Sequence, residues 1–169
     1  MATSGSNPNW EEDQPSSSPS PSEVPAPRPY QILVVEDNRA DVFLIREALN
    51  EAGVNAELYV VPDGEKAIRF FNMADADDNA PCPILVILDI NLPRKHGGEV
   101  LRQMRQTRKC ADALVIVVTS SDSDQDRQQM AQLGANEYFR KSSEFREFMK
   151  LGEVVKRLLG QSEVPPPAP

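Results

Sequence analysis

The chain has 169 residues, 15 of them Pro, and a formal net charge of −8. That acidic balance argues against nucleic acid as a partner, for which a basic face is the usual footprint. No apolar run approaches the roughly 20 residues of a membrane-spanning helix, the N-terminus lacks a basic-then-apolar signal pattern, and Cys82 and Cys110, which follow no metal or redox spacing, read as free thiols of a reducing, cytoplasmic compartment.

Residues 1–29 form a Ser/Pro-rich leader with few aliphatic side chains, too few to offset the entropy of ordering it. Residues 161–169 form a Pro-rich tail, too short for an effector domain. Residues 30–160 fit one domain with one core. Ile32-Leu33-Val34-Val35 opens that domain as a buried strand and runs into Glu36-Asp37. Residues from Asn38 onward read as a helix with Val42, Ile45, Leu49 and Ala52 on one face, ended by Gly53. Residues 56–61 read as a second strand and Pro62-Asp63-Gly64 as a turn. A short helix follows with Ala67, Ile68 and Phe71 inward, then a polar loop over residues 72–83.

Ile84-Leu85-Val86-Ile87-Leu88 is a third strand, apolar on both faces, closed by Asp89. The loop from Asn91 through Gly97-Gly98 leads to a helix carrying Val100, Leu101 and Met104. Leu114-Val115-Ile116-Val117-Val118 is a fourth strand ending in Thr119 and Ser120. Residues 120–126 offer N-caps for a helix through Met130 and Leu133, stopped by Gly134. Tyr138-Phe139-Arg140 is a short fifth strand. A last helix from about residue 143 carries Phe145, Phe148, Gly152, Val155 and Leu159 at core spacing. The basic stretches 94–96 and 102–109 read as a solvated loop and a solvated helix face, and His96 as a solvated loop residue.

Five strands alternating with five helices imply an α/β fold with a parallel sheet covered on both faces. The pattern alone leaves the strand order open. An order of 2-1-3-4-5 would set strands one, three and four side by side at a switch point, where ligands bind beyond the strands' carboxyl ends. Glu36, Asp37, Asp89 and Thr119 would then converge.

Carboxylates so close repel one another unless a cation sits among them. Mg²⁺ fits: it takes oxygen ligands and keeps waters that a phosphate displaces. Asp37 and Asp89 are the expected direct ligands, Glu36 a water-mediated one, and the backbone carbonyl of Asn91 a fourth. One carboxylate can then act as nucleophile toward a phosphoryl group. Lys141, just after strand five, supplies a second positive charge, and the Thr119 hydroxyl a donor to a phosphoryl oxygen. Taken singly, each residue has a plainer reading as helix cap, turn former or surface lysine. Their joint placement on the ends of strands one, three, four and five overturns it.

Glu36-Asp37, Asp89, Thr119 and Lys141 stand as in the receiver domain of two-component response regulators. Val34-Val35-Glu36-Asp37-Asn38, Leu88-Asp89-Ile90-Asn91-Leu92-Pro93 and Gly134-Ala135-Asn136-Glu137-Tyr138 resemble that family closely. Residues 36–49, EDNRADVFLIREAL, further resemble single-domain regulators that partner bacteriophytochrome-type sensor kinases. The resemblance implies a flavodoxin-like (βα)₅ three-layer sandwich with a five-stranded parallel sheet. It also implies a Mg²⁺-dependent phosphoacceptor at Asp89, a histidine kinase as partner, and a switch through Thr119 and Tyr138. Such a chain is a stand-alone relay without turnover of its own, signalling through protein contacts or as a homodimer. Receivers commonly follow the lysine with a cis proline. Here Ser142 follows, so a trans bond is expected, with Ser142 or Ser143 capping the last helix.

Two other functions compete. A phosphorylation-independent scaffold or binding module would keep the fold without the chemistry. An aspartyl phosphatase would need an acid two residues after its nucleophile, where Asn91 stands.

Overall fold

The computed structural model describes residues 26–161; the leader expected over residues 1–29 lies mostly outside them, as does nearly all of the tail. Five parallel strands, β1 (Tyr30–Val35), β2 (Ala56–Val61), β3 (Leu85–Leu88), β4 (Leu114–Thr119) and β5 (Glu137–Arg140), form one sheet in the order β2-β1-β3-β4-β5. This is the flavodoxin-like order, with β1, β3 and β4 interior. Helices α1 (Arg39–Glu51), α2 (Gly64–Ala76), α3 (Gly97–Arg105), α4 (Asp124–Gln132) and α5 (Phe145–Gln161) alternate with the strands.

Strand periodicity divides the core into two layers, because successive side chains point to opposite faces. Ile32, Val34, Leu85, Ile87, Ile116 and Val118 face α1 and α5. Leu33, Val35, Val86, Leu88, Val115 and Val117 face α2, α3 and α4. The α1–α5 layer closes tightly: a Cβ on Gly152 of α5 would collide with the backbone carbonyl of Ala48 in α1. Only a residue without a side chain lets the two helix backbones approach so closely.

The register sets the height of each strand end. Val35 pairs with Leu88, and Leu88 with Val117. The residues that follow β1 and β3, Glu36 and Asp89, therefore leave the sheet at one level.

Several sequence expectations are corrected. The stretch 72–83 is not a loop throughout, since α2 runs on to Ala76. Ala74 shares the buried face of Ala67 and Phe71, and that stripe holds the helix beyond its polar residues. Helix α5 starts at Phe145 rather than at residue 143. The Ser142 hydroxyl accepts from the Glu144 amide at 3.1 Å and makes a turn ahead of it. Phe145, expected in the core stripe, is 55 % exposed.

Cys82 and Cys110, expected as free thiols, are joined in a disulfide with a Cα–Cα distance of 5.8 Å. Adjacent β3 and β4 bring their preceding loops together at the edge away from Asp89. The same loops are tied by charge. The Asp75 carboxylate accepts the Arg108 and Lys109 amides at 2.9 Å each, which lowers its pKa. The Lys109 ammonium donates to the carbonyls of Asp77, Asp78 and Ala80 at 3.0–3.3 Å. Lys109 is thus a loop tie rather than part of a solvated face.

Candidate functional site

The two buried acids of the site arrive on backbone already held by its neighbours. Glu36 donates its amide to the Val61 carbonyl at 3.1 Å, and Asp89 its amide to the Val35 carbonyl at 3.1 Å. Asn38 caps α1, its side chain accepting from the Ala40 and Asp41 amides. The β3–α3 loop returns at Gly97, whose amide donates to the Ile90 carbonyl at 2.8 Å. A Cβ at Gly97 would stand 2.5 Å from the Asp89 carbonyl oxygen, so glycine is required where α3 begins against β3. His96 is exposed, but it caps α3, with Nδ1 accepting from the Gly98 amide at 3.1 Å.

Carboxylate oxygens of Glu36, Asp37 and Asp89 lie within 4.8 Å of one another. Glu36 and Asp89 are buried and Asp37 is exposed, so the cluster is a cup that opens to solvent on one side. Three hard oxygen donors with an open side suit a small divalent cation that keeps part of its hydration. The Asn91 amide donates to Asp89 Oδ1 at 3.3 Å, which brings the expected fourth ligand residue to the rim.

Lys141 enters from β5, its amide donating to the Thr119 carbonyl at 2.8 Å. Its ammonium donates to Glu36 Oε2 at 2.6 Å, Asp41 Oδ2 at 2.8 Å and Asp89 Oδ2 at 3.1 Å. An ammonium has three protons, so this one is fully used. Asp41 is the member that sequence reasoning missed. An acid in the first turn of a helix is ordinary, and only the fold shows that it faces strand five.

Burial pushes the Glu36 carboxyl up to about 7 despite the hydrogen bonds from Lys141 and the Asn38 amide, and the charge of Asp89 adds to the rise. Burial alone would lower Lys141. Its hydrogen bonds to Asp41 and Glu36, with the charges of Asp89 and Glu36, outweigh that and hold it above the usual lysine range. The lysine is a permanent cation here, and Glu36 is the group poised near neutrality.

Thr119 is fully buried at the end of β4, with Oγ1 accepting from the Ser121 amide at 3.3 Å. Ser120 is exposed and outside the cluster. Tyr138 is half-buried; its hydroxyl donates to the Ser121 carbonyl at 3.1 Å, and Arg127 lies 4.8 Å from its ring centre. Ser121 thereby joins Thr119 and Tyr138, a link invisible in the sequence. No peptide bond among the described residues is cis, so Lys141–Ser142 is trans.

The family model described as the response regulator receiver domain matches residues 32–152. Response regulator Rcp1 of Synechocystis sp. is 34% identical over 128 residues, covering 76% of this chain and 87% of its own length. A crystal structure of the manganese-bound form of Rcp1 superposes with a TM-score of 0.70 at 33% identity, over 83% of this chain and 100% of that one. The phosphorylated cyanobacterial phytochrome response regulator RcpA superposes with a TM-score of 0.71 at 31% identity, over 83% of this chain and 99% of that one.

Proposed function

The chain belongs to the response regulator receiver domain family, and from that premise we propose that it accepts a phosphoryl group on Asp89 from a histidine kinase. The observation that carries this reading is the Asp89 carboxylate itself. It is buried, shares its cup with Glu36 and Asp37, and receives the Lys141 ammonium at 3.1 Å.

In the transfer, an Asp89 oxygen forms a bond to phosphorus as the bond from phosphorus to the donor's imidazole nitrogen breaks. The imidazole leaves with that electron pair. Lys141 meets the charge on the equatorial oxygens, and the Thr119 hydroxyl, at the end of β4, donates to one of them. Glu36, Asp37 and Asp89, with the Asn91 carbonyl, are the residues that would hold Mg²⁺. When bound, the ion neutralises the cup and polarises the phosphoryl oxygens. That Rcp1 has a manganese-bound form supports a divalent ion as a ligand of this chain.

The donor is a phytochrome-type kinase, as the likeness to the cyanobacterial phytochrome response regulator RcpA supports. The reaction belongs in the cytoplasm, where a kinase has ATP; there the Cys82–Cys110 pair would exchange with the thiol pool. The chain makes no product of its own, and output passes through protein contacts.

Intact-mass analysis after incubation with acetyl phosphate, with and without Mg²⁺, tests the reading on wild type and Asp89→Asn. We expect a Mg²⁺-dependent gain of one phosphoryl group that the variant lacks. A wild type that gains none, beside a control receiver that labels, leaves a phosphate-independent scaffold as the function.

A further inference from the structure

The ammonium of Lys141 has three carboxylate partners, and two of them have other work. Glu36 and Asp89 belong to the acidic cup that suits a cation, and Asp89 is the group that would carry the phosphoryl. Asp41 does not belong to that cup. It comes from the first turn of α1, where the Asn38 cap fixes the backbone and the helix N-terminus favours a carboxylate. Its Oδ2 lies 2.8 Å from Nζ, and the two side chains are only 21% and 12% exposed. A pair at this depth is held far better than a surface ion pair, whose geometry is loose.

Lysine reaches the site on four rotatable bonds, and a flexible stem needs a fixed anchor. The backbone beyond it supplies little, for a serine follows and its hydroxyl turns to the Glu144 amide. We propose that Asp41 is a positioning residue that fixes the Lys141 ammonium from the α1 side, and that its bond survives when a cation draws off Glu36 and a phosphoryl group replaces the bond to Asp89. The proposal rests on the receiver reading and adds a regulator of that same site. The rate of phosphoryl acceptance then depends on a residue that touches neither the cation nor the reacting atoms.

The test uses the full chain at saturating Mg²⁺ with acetyl phosphate, following mass gain in wild type, Asp41→Ala, Asp41→Asn, Lys141→Ala and the Asp41→Ala/Lys141→Ala double variant. Misplacing a charge by about an ångström slows acceptance by roughly ten- to a hundredfold, the loss expected of Asp41→Ala. Mg²⁺ affinity should stay within about twofold, since Asp41 lies outside the cup. Asp41→Asn keeps the shape and one acceptor oxygen and should fall between; it also carries the test if the alanine variant fails to fold. In the Lys141→Ala background, Asp41→Ala should add no further loss. A wild-type rate in both Asp41 variants overturns the proposal, as does an equal loss with and without the lysine.

A second readout needs no phosphoryl transfer. Brief acylation with acetic anhydride, mapped by mass spectrometry, should modify Lys141 several-fold faster in the Asp41 variants than in wild type. Unchanged protection of Lys141 overturns the proposal. A wild type that takes no phosphoryl group ends the receiver reading alone, and the acylation result still decides the role of Asp41.

Discussion

Glu36 is 3 % exposed, bonded to the Lys141 ammonium and beside the Asp89 carboxylate. Burial pushes its pKa up to about 7, above the usual carboxylate value of 4.5. An acid raised on folding contributes stability that is full below its unfolded pKa and is lost as pH rises through the folded one. On Glu36's account, the metal-free protein therefore weakens between about pH 4.5 and 7. Cation binding has the opposite sign, since the ion needs the carboxylate and competes with its proton. The ionised fraction rises from about one tenth at pH 6 to about nine tenths at pH 8. Calorimetric titration should thus find Mg²⁺ affinity rising about tenfold over that range, with Glu36→Gln binding more weakly and with little slope. An equal slope in the variant would assign the proton to another group.

Among the elements, α1 and α5 are locked together at Gly152, where any side chain meets the Ala48 carbonyl. Alanine there gains about 1 kcal/mol in helix propensity. Overpacking against rigid backbone costs more, and we expect Gly152→Ala to lose about 2 kcal/mol net. Thermal melting should show a drop of about 5–8 °C; an unchanged midpoint would mean that the helices slide apart without cost. Element type was readable in the sequence because each interior strand is an unbroken apolar run that stops at a polar residue. Boundaries followed burial instead: Ala74 carries α2 past Asn72, and Phe145 leaves the core because α5 has only just begun. The convergence of Glu36, Asp37, Asp89 and Lys141 was legible because strand ends mark the ligand edge. Asp41 was not, since no spacing rule links a helix's first turn to a strand about 100 residues later. The cysteine pair was hidden for the same reason, because only the strand order makes their loops neighbours.

Across the whole molecule, stability is unevenly spread, and that unevenness shows where a signal can leave. Helix α5 buries six residues, from Phe148 to Leu159, whereas α4 buries Met130 alone. Local opening is easiest where little apolar surface is lost, so α4 is the element a small push can move. It stands next to the chain of contacts from the site. Thr119 accepts from the Ser121 amide, the Ser121 carbonyl accepts from the Tyr138 hydroxyl, and Arg127 of α4 covers the Tyr138 ring. If Thr119 turns its hydroxyl toward a phosphoryl group on Asp89, the Ser121 peptide is displaced and Tyr138 must follow or lose its acceptor. A coupling of about 1 kcal/mol changes an opening equilibrium about fivefold. Hydrogen exchange should therefore change by roughly fivefold or more in α4 on phosphorylation, with α1 and α5 unaffected. Tyr138→Phe, which keeps the ring and removes the donor, should label normally at Asp89 while the change in α4 largely disappears. A full response in that variant would move the coupling route away from Tyr138 and onto the β4–α4 backbone alone.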